Sequence, residues 1–315
     1  MPSCSAGHPV RIIHTNMLFV YSSALAADAC LAFGAAETSV VVEDMPVVES
    51  SGVAASRAED GMFYTLGDNG DEAKLHLFRT DGSYVGEQVV RGAVNEDWED
   101  LANGPCLDGV GDCLWIADSG DNDDAREVVQ VYVVPATLDA AVDATVCAFA
   151  YPDEPSNAEA LLVFPDGSMS LVTKHTDGTA GIYGTAHPRC DGSVEILTQQ
   201  AEVVLDAAVT GGAVSEDGQS VILRTYRGAW LWQGCALDWT GAPAAVDLGS
   251  ESQGEAVTFT NTGALLTTSE GVPFRARTIP CAEMGVVPCE GCGCGSEKAG
   301  VWLVLPVLYG LRRRA

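Results

Sequence analysis

The chain has 315 residues, with 16 Lys and Arg against 44 Asp and Glu and a net charge of −28. That length can bury a sizeable core in one large domain or two modest ones. The charge repels phosphate backbones and anionic lipid, which excludes nucleic acid as a partner and makes divalent cations a natural counterpart.

The chain begins with thin basic character at Arg11 and a short apolar stretch, "MLFVYSSALAADA", from Met17 to Ala29. Small-residue patterns at Ala24-Leu25-Ala26 and Ala27-Asp28-Ala29 are candidate cleavage points, so residues 1–29 are expected to be a signal peptide. Residues 30–37 would be a linker and 38–283 the folded domain. The 11 Cys, with no zinc-finger spacing in the middle of the chain, fit export to an oxidising compartment.

From residue 51 onward one phrase recurs. A Gly precedes an alternating, β-rich strand at Gly61, Gly111, Gly167, Gly218 and Gly263, separated by 50, 56, 51 and 45 residues. Strands "MFYTLGD", "DCLWIAD", "SMSLVTK", "QSVILRT" and "ALLTTSE" follow these glycines, and shorter small-residue runs precede them. A period near 50 residues belongs to the blades of a β-propeller. The expected fold is all-β, a propeller of five four-stranded blades. Six is the alternative if Glu202–Leu205 begins an abbreviated blade. "PFRARTIPC" leaves the last blade one strand short, and "TSVVVEDMPVVE" before Ser51 is a spare strand that would close the ring.

In such a fold each first-strand start and second-strand end emerge together at one mouth of the channel. The starts are Ser51, Glu99, Glu159, Thr210 and Glu255; the ends, seven residues after each Gly, are Asp68, Asp118, Lys174, Thr225 and Glu270, with Arg224 beside Thr225. So many acids at close range raise one another's pKa unless a cation or substrate compensates. Two loops, "LGDNGDEA" with Asp68 and Asp71 and "ADSGDNDD" with Asp118 and Asp121, add oxygen ligands on Gly-containing turns, which suits calcium; solvated Asp-Asn-Gly turns are the plainer alternative. Trp98 stands between Asp97 and Glu99. Either it packs between blades while the acids face water, or it walls the mouth for a stacked ring. No Gly-x-Ser-x-Gly, His-Glu-x-x-His or phosphate-binding loop occurs.

Cys106 and Cys113 flank a turn and are expected to pair. Cys147, Cys190, Cys235 and Cys281 could form two further bridges in any of three pairings. The C-terminal stretch 284–315 joins Cys289, Cys292 and Cys294 to an apolar run, Val301–Leu311, and three Arg. Eleven apolar residues are short for a membrane span. This order resembles the myxobacterial type of C-terminal sorting tag, which implies processing at Cys292 and Cys294, transient contact with the membrane and delivery to the cell envelope or outer surface.

"SSGVAASR", "GDNGD", "DWEDLANGP", "ADSGDND", "NAEALLV", "LVTK", "LRTY", "QGEAV" and "SEG" together look like the motif series of secreted bacterial phytase-like and esterase-like propellers, over about Ser50 to Gly271. The chain departs from that pattern at "GDNGD" and at Thr210. The resemblance implies a rigid extracellular propeller that can bind calcium. Two functions remain open. One is a monomeric binding or scaffold module for a small-molecule or protein ligand. The other is a calcium-dependent phosphoesterase or esterase, with a glycoside hydrolase behind it. As an enzyme it would use Glu159, Glu255 and Glu99 catalytically, Lys174, Arg224, Glu270 and Trp98 on substrate, and Asp68, Asp71, Asp118 and Asp121 on metal.

Overall fold

The structure is a computed structural model and describes residues 29–234 and 237–287. Those residues form a β-propeller of five blades, and no helix occurs among them. Blade 1 runs from the axis outward as β3 (Ser50–Ala55), β4 (Met62–Gly67), β5 (Lys74–Arg79) and β6 (Tyr84–Arg91). Blade 2 is β7 (Trp98–Pro105), β8 (Asp112–Asp118), β9 (Val129–Pro135) and β11 (Thr145–Ala150). Blade 3 is β12 (Ala158–Val163), β13 (Met169–Thr173), β14 (Thr179–Thr185) and β16 (Thr198–Val204). Blade 4 is β17 (Val209–Val214), β18 (Ser220–Thr225), β19 (Gly228–Gln233) and β20 (Ala244–Val246). Blade 5 is β21 (Gly254–Phe259), β22 (Leu265–Ser269) and β23 (Arg275–Ile279), completed by the N-terminal β2 (Val40–Val41). The spare strand therefore closes the ring as expected. Glu202 lies inside β16, which removes the sixth blade.

Alternation explains why the blades stack. On β8, Cys113, Trp115 and Ala117 join the apolar cluster shared with blade 3, while Leu114 and Ile116 join the one shared with blade 1. Five such clusters fill the five blade interfaces, so every inner sheet is buried on both faces. The recurring glycines have a local cause. Gly61, Gly111, Gly167, Gly218 and Gly263 all take φ between 71° and 83°, a left-handed turn conformation that side chains with a Cβ resist. The inner strands crowd at the axis, where a Cβ on Gly52 would sit 2.6 Å from the backbone N of Leu101. Buried Asp100 ties that crossing together: its carboxylate accepts the N–H groups of Leu101 and Leu161 at 2.8 Å and of Gly212 at 3.3 Å, linking β7, β12 and β17.

Three additions lay outside the sequence expectation. β10 (Ala141–Asp143) runs parallel to β6 and adds a fifth strand to blade 1, although it lies between β9 and β11 in sequence. β15 (Val194–Ile196) does the same for blade 2. Residues 30–37, expected to be linker, carry most of β1 (Ala29–Phe33), which pairs with β24 (Cys281–Gly285) and is bridged to it by Cys30–Cys281. The fold thus reaches beyond residues 38–283 at both ends. Cys106–Cys113 pairs as expected, and Cys147 bonds Cys190. Cys281, grouped from sequence with Cys147, Cys190 and Cys235, takes Cys30 instead because β1 brings it alongside. Cys235, Cys289, Cys292, Cys294 and the apolar run lie outside the described residues, as does nearly all of the expected signal peptide.

Candidate functional site

Every inner strand loses register once near its start, leaving one residue outside the ladder. These residues are Ser51, Glu99, Glu159, Thr210 and Glu255, the five starts picked out from sequence. A bulge bends its strand and re-aims the unpaired residue. Repeated around the axis, it produces a ring at one mouth.

The strand ends need a correction. The fourth ladder position beyond each start pairs two residues after the repeated Gly in blades 1, 3 and 5 (Ala55 with Phe63, Val163 with Met169, Phe259 with Leu265), but three after it in blades 2 and 4 (Asn103 with Leu114, Val214 with Val221). Counting seven from the Gly therefore falls one residue short in those two blades. Asp118 and Thr225 are ladder residues opposite Trp98 and Val209, and the positions equivalent to Asp68, Lys174 and Glu270 are Ser119 and Tyr226.

Two sectors make up the mouth. In the first, carboxylate oxygens of Asp68, Asp97 and Glu99 lie within 4.8 Å of one another, and Asp97 and Glu99 are only 6% and 5% exposed. Burial, then the charges of Asp68 and Glu159, pushes Asp97 up to about 6. Burial first, and then Glu159, Asp68 and Asp97, holds Glu99 well above the ordinary carboxylate range, with a Glu99–Glu159 hydrogen bond favouring its protonated form. Asn95 anchors the loop by donating Nδ2 to the carbonyls of Gly67 and Asp68 at 3.0 and 2.9 Å. Gly120 packs directly on the carboxylates: a Cβ there would run into Glu99 Oε1 and the Asp97 carboxyl.

In the second sector Glu159 accepts Lys174 Nζ at 2.8 Å and Asn157 Nδ2 at 3.1 Å. Burial works against the Lys174 ammonium, but Glu159 outweighs it and keeps the group above its usual value. The same ammonium lies 5.5 Å from the ring centroid of Tyr226, which is 46% exposed. Burial and the charge of Glu159 lift Glu255 to about 8. Burial, Glu49 and Asp68 raise Glu270, which accepts Gln253 Nε2 at 2.6 Å.

Several expected participants have other employment. Trp98 is 0% exposed, donates Nε1 to Val94 O at 3.0 Å and packs on Tyr132 between blades, so it walls nothing. Asp97 and Glu99, read as water-facing beside a packed Trp98, turn inward instead. Arg224 is 3% exposed and is held by Glu251 and by Ala256 O at 2.9 Å, which takes it out of the mouth as an anion clamp. Asp118 receives Arg126 Nη2 at 2.9 Å and the Asp97 N–H at 3.0 Å, and burial raises its pKa. Asp121 caps a turn by accepting the N–H groups of Ala125 and Arg126 at 2.9 and 2.7 Å. Asp71 is exposed, with its carboxylate folded over Gly67 and outside the Asp68 cluster. The Thr210 hydroxyl is spent on Gly254 O at 3.0 Å.

Sequence reasoning missed Asp97 as a ligand candidate. Its signal was its spacing: two residues before bulged Glu99, it shares that strand end. Tyr226 was missed because the Gly count stopped one residue early.

No family model matches the chain, and no curated protein matches it. Among solved structures, the PQQ-bound form of an aldose sugar dehydrogenase from Streptomyces coelicolor is similar at 12% identity, covering 77% of this chain and 98% of that one with a TM-score of 0.46. A likeness at that level says nothing of ligand or chemistry.

Proposed function

We propose that this protein is an exported, cell-surface propeller whose acidic mouth holds a calcium ion and serves as a ligand-binding module. The observation that carries this reading is the Asp68–Asp97–Glu99 cluster, with its carboxylate oxygens within 4.8 Å of one another. Burial first, and then the repulsion of neighbouring carboxylates at that spacing, raises Asp97 and Glu99. An oxygen-only donor set with no His or Cys suits a hard cation, and loop-borne ligands suit the flexible coordination of calcium. Three disulfides support an oxidising compartment. Cleavage after Ala26 would leave β1 whole, and the C-terminal tag would direct the product to the envelope.

A second reading is a calcium-dependent phosphoester or ester hydrolase. It draws on the hydrogen-bonded Glu99–Glu159 pair, a proton donor beside a carboxylate, and on Glu255 as an acid still protonated near neutrality. With Arg224 out of the mouth, the cations near it among the described residues are Lys174, already occupied by Glu159, and Arg126, already occupied by Asp118 and the Gly120 carbonyl. That is thin support for gripping an anionic substrate, so binding is the better reading.

Calcium titration of the full chain by calorimetry, after chelation, tests it. Saturable binding that disappears in Asp97→Asn and survives in Asp118→Asn is expected, because Asp118 is committed to Arg126. Absence of heat together with an unchanged melting temperature would overturn the calcium site.

A further inference from the structure

At the other end of the axis, where the inner strands finish, three adjoining cavities share their walls. The axial one, about 40 Å³, is walled by Leu101, Ala102, Ala213 and Phe259 and reached past Arg57, Asn103 and Glu216. A cavity of about 180 Å³ shares Arg57, Asn103 and Glu216 with it, and one of about 260 Å³ shares Glu216, Thr260 and Asn261. Neither sector of the acidic mouth contributes a residue to any of them.

Three polar groups around this opening are incompletely used. Asn103 Oδ1 is buried without a hydrogen-bond partner among the described residues, a condition costly enough that native proteins rarely leave it so. Arg57 gives Nη1 to Asp112 at 2.7 Å, and its Nε and Nη2 carry no hydrogen bond among the described residues. The Glu216 carboxylate is exposed and makes neither an ion pair nor a hydrogen bond among them. The opening therefore offers a cation, an anion and an orphaned acceptor around a small hole whose wall joins Leu101, Ala102, Ala213 and Phe259 to the polar Thr258, Thr260 and Asn261.

We infer that this opening is a binding site for a zwitterionic α-amino acid with a small aliphatic side chain. Its carboxylate would meet the Arg57 guanidinium, and its ammonium, with three donors, would serve Glu216 and Asn103 Oδ1. The side chain would enter the axial hole. A water needs roughly 10–15 Å³ of such volume, so about 40 Å³ takes a short aliphatic group and rejects an aromatic one.

The test is calorimetric titration of the full chain with L-alanine, L-valine and L-phenylalanine, alongside the half-ligands propionate and ethylamine. Saturable binding of alanine or valine is expected, weaker by roughly tenfold or more for each half-ligand and for phenylalanine. Arg57→Gln and Glu216→Gln should each weaken it by a similar factor without lowering the melting temperature. Asn103→Leu should weaken it while leaving the melting temperature equal or higher, because it deletes an unsatisfied acceptor. Asp97→Asn, at the far mouth, should leave it unchanged. No saturable binding, propionate binding as well as alanine, or binding that survives both Arg57→Gln and Glu216→Gln would overturn the assignment.

Discussion

Replacing Asp97 by Asn should stabilise the calcium-free protein, and only above a definite pH. Folded Asp97 titrates near 6 against an ordinary 3.8, so between those values the folded chain keeps a proton that the unfolded chain releases. Stability therefore falls as pH rises through this window. A gap of about two pH units corresponds to roughly 3 kcal/mol, and contact with water at the mouth trims it to about 2 kcal/mol. Asparagine keeps the shape and removes the charge. Calorimetric melts in chelator at about pH 7.5 should place Asp97→Asn about 4–8 °C above the unaltered protein, with no difference near pH 4. Saturating calcium should then reverse the order, since it binds only the protein with the intact cluster and adds about 2.7 kcal/mol at a hundredfold excess over Kd. A lower melting temperature for Asp97→Asn at pH 7.5, or an equal shift at both pH values, would refute the reasoning.

Other expectations follow from the same contacts. Gly120→Ala pushes a methyl group into the Glu99 and Asp97 carboxylates and should weaken calcium affinity by roughly tenfold or more, read by calorimetry. Arg126→Gln strands buried Asp118 and should cost about 3–5 kcal/mol in denaturant unfolding, with partial recovery in the Asp118→Asn/Arg126→Gln double variant. Cys30→Ser opens a link spanning 251 residues and should lower stability by about 2–5 kcal/mol; a reductant should lower the unaltered protein's melting temperature in the same direction.

The repeat was legible because it has two physical causes that composition cannot hide. A hairpin turn at positive φ demands Gly, and a strand buried on both faces demands a run of apolar side chains. The bulged residues were legible for a similar reason: an acid at the head of a small-residue strand, as at Glu99, Glu159 and Glu255, must face something other than the core. The ends were legible only where the turn had the common length, which is why Asp68, Lys174 and Glu270 were placed correctly and Tyr226 was not. Burial of Arg224 depends on Glu251, a loop residue that no periodicity announces. The same holds for β10 and β15, whose three residues each are too few to carry a pattern. β1 and β24 are adjacent only after the ring has closed, and their pairing leaves no local trace.

The ring is fastened differently on its two sides. Between blades 1, 2 and 3 each later segment lends a strand backward, β10 to blade 1 and β15 to blade 2, so excising blade 2 would strip blade 1 and excising blade 3 would strip blade 2. Among the described residues blades 4 and 5 exchange no strand with each other, and blade 5 takes only β2 from the segment before blade 1. The β1–β24 ribbon lies there instead, with the Cys30 carbonyl accepting Gln233 Nε2 of blade 4 at 2.8 Å and a cleft beneath it bounded by Ser220 and Gly263. One half of the circumference is thus woven and the other is latched. Reduction should release the latched half first, so amide exchange under reducing conditions would speed up in β19 and β22 before it reaches β8 or β13.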